Sequence, residues 1–364
     1  MPSEFKDRLL SLDLFRGMTM FFLIGESTRI YEHLVDPALK GSILYAIGTQ
    51  FEHHPWNGLR AWDLVQPFFM FVVGVALAFS VVSREGRGEP RSRITGHAVR
   101  RALLLLLLGW ALYCIEPGRI TFRFQNVLAQ LSVTYLIAYF MMRRPARAQI
   151  ALSFGLLILT EVLYRTFAAP GFNQPFVPDH NFGSWVDMLI SGELSAGHWV
   201  SFNAIPTAAH TIWGVLAGQL LMSARPPRRK FSILALTGLA GIAAGFALNP
   251  VTPVIKRIAT SSFVITSGGF CLLTLALCYG FVDILGFRRW TKLFALVGTN
   301  CLAIYLFTES GGTSWILGLV QPFTVLLFSW AGDLPAAIAT SLAAWSVLWL
   351  MCYWLYQRKI VIKI

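Results

Sequence analysis

Charged residues are scarce in this sequence. Asp, Glu, Lys and Arg together make up 13% of its 364 residues, whereas hydrophobic residues make up 55%. A soluble domain usually carries about 25% charged residues, so the composition excludes an ordinary soluble protein and indicates an integral membrane protein. The cations outnumber the anions and give a net charge of +12. Because basic loops orient helices in a membrane, this charge does not indicate a nucleic-acid partner.

Patterns typical of disulfides, metal sites and cleaved leaders are also missing. The five cysteines are odd in number and show no CxxC spacing, so we interpret them as packing residues. The adjacent His53 and His54 would chelate one metal poorly, and no HxxxH motif or nearby cysteine completes a site. We therefore expect no metal. No small-residue cleavage site follows a short apolar core at the start of the sequence, so we expect no removed signal peptide.

Long apolar runs are abundant. About 20 apolar residues are needed to cross a hydrocarbon core of about 30 Å, and such spans must be helical because lipid leaves no partner for an unpaired backbone amide. The sequence therefore predicts an all-α polytopic membrane protein with about ten transmembrane helices in one domain, residues 1–364. The ten windows are 14–30, 62–83, 99–115, 126–142, 148–168, 204–222, 231–248, 262–283, 293–309 and 335–356.

The distribution of Lys and Arg predicts the orientation. With ten spans, 21 of the 30 Lys and Arg residues fall on the side of the two termini and 8 on the other side. The positive-inside rule then places both termini in the cytoplasm. The segment 315–330, "WILGLVQPFTVLLFSW", is apolar enough to cross as well if Pro322 is tolerated. An eleventh crossing would turn the C-terminus outside, so we predict an outer-leaflet or re-entrant segment there.

Polar residues in or beside apolar spans are informative, because burying them costs free energy unless they are paired or face water. Asp13 and Arg16 are three residues apart and share a helix face, which suits either an anchoring ion pair or a substrate contact. Glu26 and Ser27 stand at the outer end of the same span. Asn300 lies inside the ninth window, so its amide should bond another helix or line a cavity.

The stretch "FEHHPWNGLRAWDLVQPFFMFVVGV" brings titratable groups to the edge of the second span. A histidine with a pKa near about 6.5 is suited to accept and return a proton at neutral pH. His53, with Asp63 ten residues on, is therefore a candidate general base or nucleophile, and the alternative is a surface-loop histidine. Trp56 is typical of an interfacial aromatic belt. Asp63 also suits a helix cap, since the helix dipole favours its charge there.

Six segments carry a resemblance. In order along the chain from about residue 8 they resemble the transmembrane acetyltransferase family of heparan-α-glucosaminide N-acetyltransferase and its bacterial relatives. The segments are "RLLSLDLFRGMTM", "HPWNGLRAWDLVQPFFMFVVGVALAFS", "IPTAAHTIWGVLAG", "TSSFVITSGG", "LVGTNCLAIYLF" and "YWLYQRKIVIKI".

The resemblance implies a reaction and a catalytic residue. In that family, cytosolic acetyl-CoA donates an acetyl group to an amino sugar on the far side of the membrane. The family's active-site histidine falls on His53, and His54 falls where no histidine is needed. A family asparagine at the outer end of the first span falls on Ser27, after Glu26. This departure leaves the acceptor, and N- against O-acetylation, open.

The expected site follows from these positions. His53 and Asp63 are predicted to be catalytic, either by activating the acceptor amine or by carrying the acetyl group on His53. We expect the inner-face cations to hold the phosphates of acetyl-CoA, with Arg16, Arg100 and Arg101 as candidates. The candidates for acceptor binding are Glu26, Ser27, Trp56, Asn57 and Asn300.

The expected partners are the lipid bilayer, as found in a bacterial cytoplasmic membrane, and an amino sugar or glycan acceptor. A homodimer is an alternative use of the small-residue spacings Gly214/Gly218 and Gly241/Gly245, which suit close packing within one chain better. The alternative functions are a sugar transporter, which paired inverted repeats and broken helices would favour, and a catalytically silent family member.

Overall fold

Helices make up the regular structure of the described chain. The computed structural model describes residues 9–115, 117–289 and 291–362; Lys6, Arg8 and Lys363, which were counted as cytoplasmic, lie outside these ranges. The α-helices are α1 Leu10–Ser27, α2 Ile30–Leu34, α3 Ile43–Gln50, α4 Val65–Gly86, α5 Arg91–Ile115, α6 Val127–Met141, α7 Ala146–Thr166, α8 Phe182–Ser191, α9 Ala204–Met222, α10 Pro227–Leu248, α11 Ser261–Tyr279, α12 Thr291–Thr299, α13 Cys301–Phe307, α14 Thr313–Phe328 and α15 Asp333–Gln357.

The prediction of an all-α membrane protein is confirmed. Each of the ten apolar windows falls on helical structure, and α9 has the predicted bounds. Among the described residues, seven helices are long and apolar enough to cross a membrane. The number of ten crossings and the sides of the termini stay predictions.

The ninth window differs most from the prediction. Asn300 separates α12 from α13, with φ −118° and ψ 34°, so residues 293–309 do not form one helix. The chain then continues through a π-helical turn at Thr308–Gly312 into α14, and Gly311 there has a φ of 93°. Pro322 is accommodated inside α14. The whole stretch Cys301–Ala331 is one of the seven candidate spans. Within it, residues 315–330 lie on α14 and the turn that follows, beyond the kink at Gly311.

The chain divides into two compact units. Unit 1 comprises Met1–His53, Arg60–Val65 and Cys278–Ile364, and unit 2 comprises His54–Leu59 and Gln66–Leu277. In unit 1, α1 packs against α12 and α15. In unit 2, α6 packs on α5 and α9, and α7 also packs on α9. The five cysteines are all free thiols.

Glycines allow the helices of unit 2 to approach closely. A Cβ at Gly214 would lie 2.1 Å from the carbonyl oxygen of Phe71, and a Cβ at Gly74 would lie 2.1 Å from that of Thr211. A Cβ at Gly241 would lie 3.1 Å from the Cα of Gly269. The small-residue spacings therefore serve packing within one chain, as predicted.

In unit 1, a glycine and a group of aromatic rings fill the space around α1. A Cβ at Gly17 would lie 2.0 Å from the carbonyl oxygen of Phe294. Phe21 contacts the rings of both Phe294 and Trp345, at centroid distances of 5.2 and 4.7 Å. Trp345 also lies against Gly25. These contacts position the end of α1 that leads into the histidine-bearing segment.

Candidate active site

The segment that carries His53 is positioned by local capping and by aromatic contacts. Ser42 caps α3, because its hydroxyl oxygen accepts the N–H of Tyr45 at 3.1 Å. Phe51, the first residue after α3, stacks on Tyr31 with ring centroids 4.1 Å apart. Trp62 contacts both rings, at 5.7 Å from Tyr31 and 5.9 Å from Phe51. The residues next to His53 and Asp63 are thus packed together in unit 1.

Tyr31 is buried within this aromatic group. Burial, together with the charge of Glu26, raises the pKa of the Tyr31 phenol above its usual range. The phenol therefore stays protonated, and its O–H donates to the carbonyl of Phe22 at 3.2 Å. Tyr31 joins α2 to α1 as a neutral donor and does not act as a base.

His53 and Asp63 are brought together. The Nδ1 atom of His53 lies 3.1 Å from Oδ1 of Asp63. The Asp63 side chain is 1% exposed and the His53 side chain 38% exposed. With Asp63 ionised, its carboxylate can only accept a hydrogen bond, and Nδ1 then carries the hydrogen in this contact. In the neutral imidazole, Nε2 is then the nitrogen with the basic lone pair.

The second oxygen of Asp63 has a structural partner. Oδ2 accepts the N–H of Arg60 at 2.9 Å, and the N–H of Asp63 donates to the carbonyl of Arg60 at 3.0 Å. These bonds close the 3₁₀ turn Ala61–Leu64 that leads into α4. The two roles considered for Asp63, helix cap and imidazole partner, are therefore served by different oxygens of one carboxylate.

Arg60 is a residue that sequence reasoning missed, having been counted only as an outer cation. Its Nη1 donates to the carbonyl oxygen of His53 at 3.1 Å and lies 3.4 Å from Oε2 of Glu52. The available signal was its spacing, because a residue three positions before a carboxylate at a helix start is in the place of the cap.

Trp56 and Asn57 belong to unit 2, where their side chains make structural contacts. The indole N–H of Trp56 donates to the carbonyl of Phe176 at 2.8 Å. Oδ1 of Asn57 accepts the N–H of Val254 at 3.0 Å, and Asn57 forms an antiparallel bridge with Ile255. In the same unit, the ring of His54 fills the space beside Gly58, where a Cβ would lie 2.4 Å from Nε2.

The other acceptor candidates are distributed within unit 1. Glu26 is exposed. The hydroxyl of Ser27 lies 3.1 Å from that of Thr313 and donates to the carbonyl of Ile24 at 2.8 Å. Asn300 is used by the chain itself, since its Nδ2 donates to the carbonyl of Ile360 at 2.9 Å and its Oδ1 accepts the N–H of Ile362 at 3.0 Å. Its amide thus bonds the C-terminal segment.

The donor candidates have different surroundings. Arg16 forms the ion pair with Asp13 that the spacing predicts, at 2.9 Å. On α5, the guanidinium of Arg101 lies over the ring of Tyr135, 5.1 Å from its centroid. Arg100 is exposed. Within the described residues no group of three or more His, Cys, Asp or Glu is arranged to hold a metal.

Unit 2 also contains a buried chain of polar side chains. Gln66 donates to Gln130, the amide of Gln130 donates to the carbonyl of Gln125 at 3.0 Å, and the amide of Gln125 donates to Asp187 at 3.0 Å. Burial raises the pKa of Asp187, although the bonds from Gln125 and Ser201 oppose this shift. The chain links α4, α6 and α8.

Comparison with known proteins gives one consistent answer. Human heparan-alpha-glucosaminide N-acetyltransferase is 30% identical over 142 residues, which cover 37% of this chain and 19% of the human protein. The mouse protein of the same name is 30% identical over 138 residues, or 36% of this chain and 18% of its own length. The resemblance to this acetyltransferase family is confirmed. The match spans about a fifth of the length of these two relatives. No family model matches the chain.

Proposed function

We propose that this chain is a transmembrane acetyltransferase that moves an acetyl group from cytosolic acetyl-CoA to an amino sugar or glycan on the outer side of a bacterial cytoplasmic membrane. The observation that carries the proposal is the contact between His53 Nδ1 and the buried carboxylate of Asp63. The similarity to heparan-alpha-glucosaminide N-acetyltransferase supports the reaction class.

The contact with Asp63 suits His53 to act on an amine. With its hydrogen held on Nδ1, the imidazole offers Nε2 as a base. In direct transfer, the acceptor nitrogen attacks the thioester carbonyl, the new C–N bond forms and the C–S bond breaks. The proton lost by the amine passes to Nε2 and then to the leaving thiolate, which departs as the thiol of CoA. Asp63 stabilises the imidazolium that exists between these two proton transfers.

A covalent route uses the same atoms in two steps. Nε2 attacks the thioester carbonyl, the C–S bond breaks and CoA leaves as its thiolate, which takes a proton from water, so that the acetyl group is held on His53. The acceptor amine then attacks that carbonyl, the bond between the acetyl carbon and Nε2 breaks, and the amine proton passes to the freed Nε2 and from there to water. Labelled acetyl groups retained on the protein in the absence of acceptor would favour this route, whereas their absence would favour direct transfer.

The donor and acceptor are proposed to meet the protein on opposite sides of the membrane. The charged phosphates of acetyl-CoA prevent it from crossing the hydrocarbon core, so they must be bound on the inner side. The proposed phosphate contacts there are Arg16, Arg100 and Arg101. Glu26 and Ser27, at the far end of α1 from Arg16, are the proposed acceptor contacts. Nitrogen and oxygen acceptors are distinguished by giving the protein glucosamine and N-acetylglucosamine in parallel.

The test is transfer by the purified protein in detergent, from labelled acetyl-CoA to glucosamine. We expect His53→Ala to abolish transfer while keeping acetyl-CoA binding, because the proposed phosphate contacts do not involve His53. His54→Ala is the matched control, since its ring packs beside Gly58 in unit 2, and it should retain most of the activity. Transfer at the original rate by His53→Ala, or loss of activity in His54→Ala alone, would contradict the proposal.

A further inference from the structure

Arg60 contacts both members of the histidine–aspartate pair. Its backbone N–H donates to Oδ2 of Asp63 at 2.9 Å, and its Nη1 donates to the carbonyl oxygen of His53 at 3.1 Å. One residue therefore holds the backbone of the histidine and the carboxylate of the aspartate. Neither contact uses the atoms that join the pair, which are Nδ1 of His53 and Oδ1 of Asp63.

These contacts matter because the pair is separated along the chain. His53 and Asp63 are ten residues apart, and the residues between them, His54–Leu59, belong to unit 2, whereas the pair and Arg60 belong to unit 1. The intervening residues are fixed to other parts of unit 2 by Asn57 and by the N–H of Gly58, which donates to Val254 at 2.8 Å. The two segments on either side of them, one ending at His53 and the other beginning at Arg60, therefore need contacts of their own to bring His53 and Asp63 together.

Several contacts besides that of His53 with Asp63 join the two segments. Arg60 bonds to His53 and Glu52, and the N–H of Ala61 donates to Gln50 at 3.4 Å. The Arg60 side chain is 21% exposed and that of Glu52 is 44% exposed. Their 3.4 Å ion pair is exposed enough to contribute little stability. Of the two side-chain contacts of Arg60, the bond to the His53 carbonyl is therefore the stronger.

We propose that Arg60 is a positioning residue, which sets the distance between the imidazole of His53 and the carboxylate of Asp63 by holding the backbone of one and the side chain of the other. The inference rests on the proposed function, because the pair it positions is the proposed catalytic pair. Arg60 touches neither Nε2 nor Oδ1, so it acts through the geometry of the other two residues.

The arginine side chain suits this role. Its planar guanidinium offers several fixed N–H donors, so one group can serve the His53 carbonyl and Glu52 together, whereas a lysine ammonium is a strongly hydrated point charge on a flexible stem. Lysine at position 60 should therefore restore only part of the side-chain bonding to the His53 carbonyl. Alanine should remove the side-chain bond but leave the backbone N–H that caps Asp63 in place.

The experiment measures steady-state acetyl transfer for wild type, Arg60→Ala and Arg60→Lys. A misplacement of about 1 Å can cost about 100-fold in rate, so we expect Arg60→Ala to lower kcat about 10- to 100-fold and to change KM less than about twofold. Arg60→Lys and added guanidinium ion should each restore part of the Arg60→Ala loss. Arg29→Ala is the control, since Arg29 forms an exposed ion pair with Glu32 in the same unit.

A second readout does not depend on activity. In protein labelled with ¹⁵N at its seven histidines, the His53 resonance is assigned by its loss in His53→Ala. We expect a slowly exchanging Nδ1–H for His53 in wild type and Arg60→Lys, and a fast-exchanging one in Arg60→Ala. If Arg60→Ala does not fold, Arg60→Gln takes its place, because its shorter amide cannot reach both partners.

The outcomes separate the two proposals. If wild type transfers no acetyl group but the Nδ1–H signal responds to Arg60 as expected, the proposed function fails and the positioning inference stands. If wild type is active and His53→Ala is inactive, a kcat within about twofold of wild type for Arg60→Ala, with an unchanged His53 signal, overturns the inference alone. A loss caused only by unfolding would be matched by a lower thermal midpoint and would not respond to guanidinium.

Discussion

A single substitution can separate the two roles of Asp63, helix cap and imidazole partner. In Asp63→Asn, the amide oxygen can still accept the N–H of Arg60, while the amide NH₂ faces Nδ1 of His53. Two donors cannot share that contact, so the imidazole should place its hydrogen on Nε2 and lose its basic nitrogen on the acceptor side. We expect kcat to fall on the order of 10⁴-fold, as the wrong tautomer does in histidine-assisted acyl transfer, with acetyl-CoA binding retained.

The control for this prediction is another capping aspartate. Asp36 accepts the N–H of Ala38 at 2.8 Å at the start of the turn Pro37–Leu39, and it is not part of the proposed catalytic pair. Asp36→Asn should therefore transfer acetyl groups at the wild-type rate. Equal losses in the two variants, measured by the same assay with thermal midpoints, would assign Asp63 a purely structural role.

The three donor-side arginines should contribute unequally to acetyl-CoA binding. Arg16 is already paired with Asp13, and Arg101 lies over Tyr135, whereas Arg100 is exposed. We expect Arg100→Gln to weaken binding about two- to fivefold, which corresponds to about 0.5–1 kcal/mol for an exposed charge contact. The effect should shrink as salt rises, since the Debye length is about 10 Å at 0.1 M.

Calorimetric titration at two ionic strengths measures this effect. Arg143→Gln is the matched control, because Arg143 is engaged with Glu85 at 2.9 Å and lies over the ring of Tyr139. The contact with Tyr139, together with that to Glu85, raises the pKa of Arg143, so it stays charged without a ligand. Unchanged affinity in Arg100→Gln at low salt would exclude Arg100 from the donor site.

At the scale of helices, the contact between α4 and α9 can be tested by one methyl group. In Gly214→Ala, the new Cβ would lie 2.1 Å from the carbonyl oxygen of Phe71, which is backbone and cannot rotate away. Overpacking of this kind costs about 1–3 kcal/mol, so we expect a lower thermal midpoint in detergent. Gly155→Ala on α7 is the control, because nothing lies within 4 Å of its Cβ position.

The thermal midpoint of the Gly155→Ala control should move in the opposite direction. Alanine is favoured over glycine in a helix by about 0.5–1 kcal/mol, so Gly155→Ala should raise the midpoint slightly or leave it unchanged. Similar midpoints for the two variants would mean that α4 and α9 are able to separate without cost, and the glycine contact would then not contribute to the packing of unit 2.

The helices differ in how far the sequence could predict them. Apolar windows located α9 to the residue, because length and hydropathy are local properties. The same reasoning missed the interruption at Asn300, because its amide is satisfied by the backbone of Ile360 and Ile362, about sixty residues away. A break that depends on a distant partner leaves no periodic signal. In the same way, residue chemistry was enough to predict the pairing of His53 with Asp63. The bond from Arg60 to His53 could not be predicted, because it depends on the folded conformation of the loop between them.

For the whole molecule, the orientation in the membrane remains a prediction that rests on charge. Residues 84–101 carry six Lys and Arg, whereas residues 169–203 carry none, so the first segment should be cytoplasmic and the second outside. Reporter cysteines must sit where a side chain is free to react. Gly183 is unsuitable, since it is buried and its Cβ would lie 2.3 Å from the hydroxyl of Tyr164. Ser92 and Asn173 are both exposed and lie in the two segments.

We therefore expect Asn173→Cys, but not Ser92→Cys, to react with a membrane-impermeant maleimide in intact cells. Both should react after the cells are permeabilised, which shows that each thiol is accessible once the membrane is open. The unmodified chain is the background control, because none of its five cysteines is fully exposed. Labelling of Ser92→Cys alone in intact cells would reverse the orientation, and the proposed acceptor contacts near Glu26 and Ser27 would then face the cytoplasm together with the supply of acetyl-CoA. Labelling of both in intact cells would mean that the two segments share the outer side, which is incompatible with ten crossings in the predicted order.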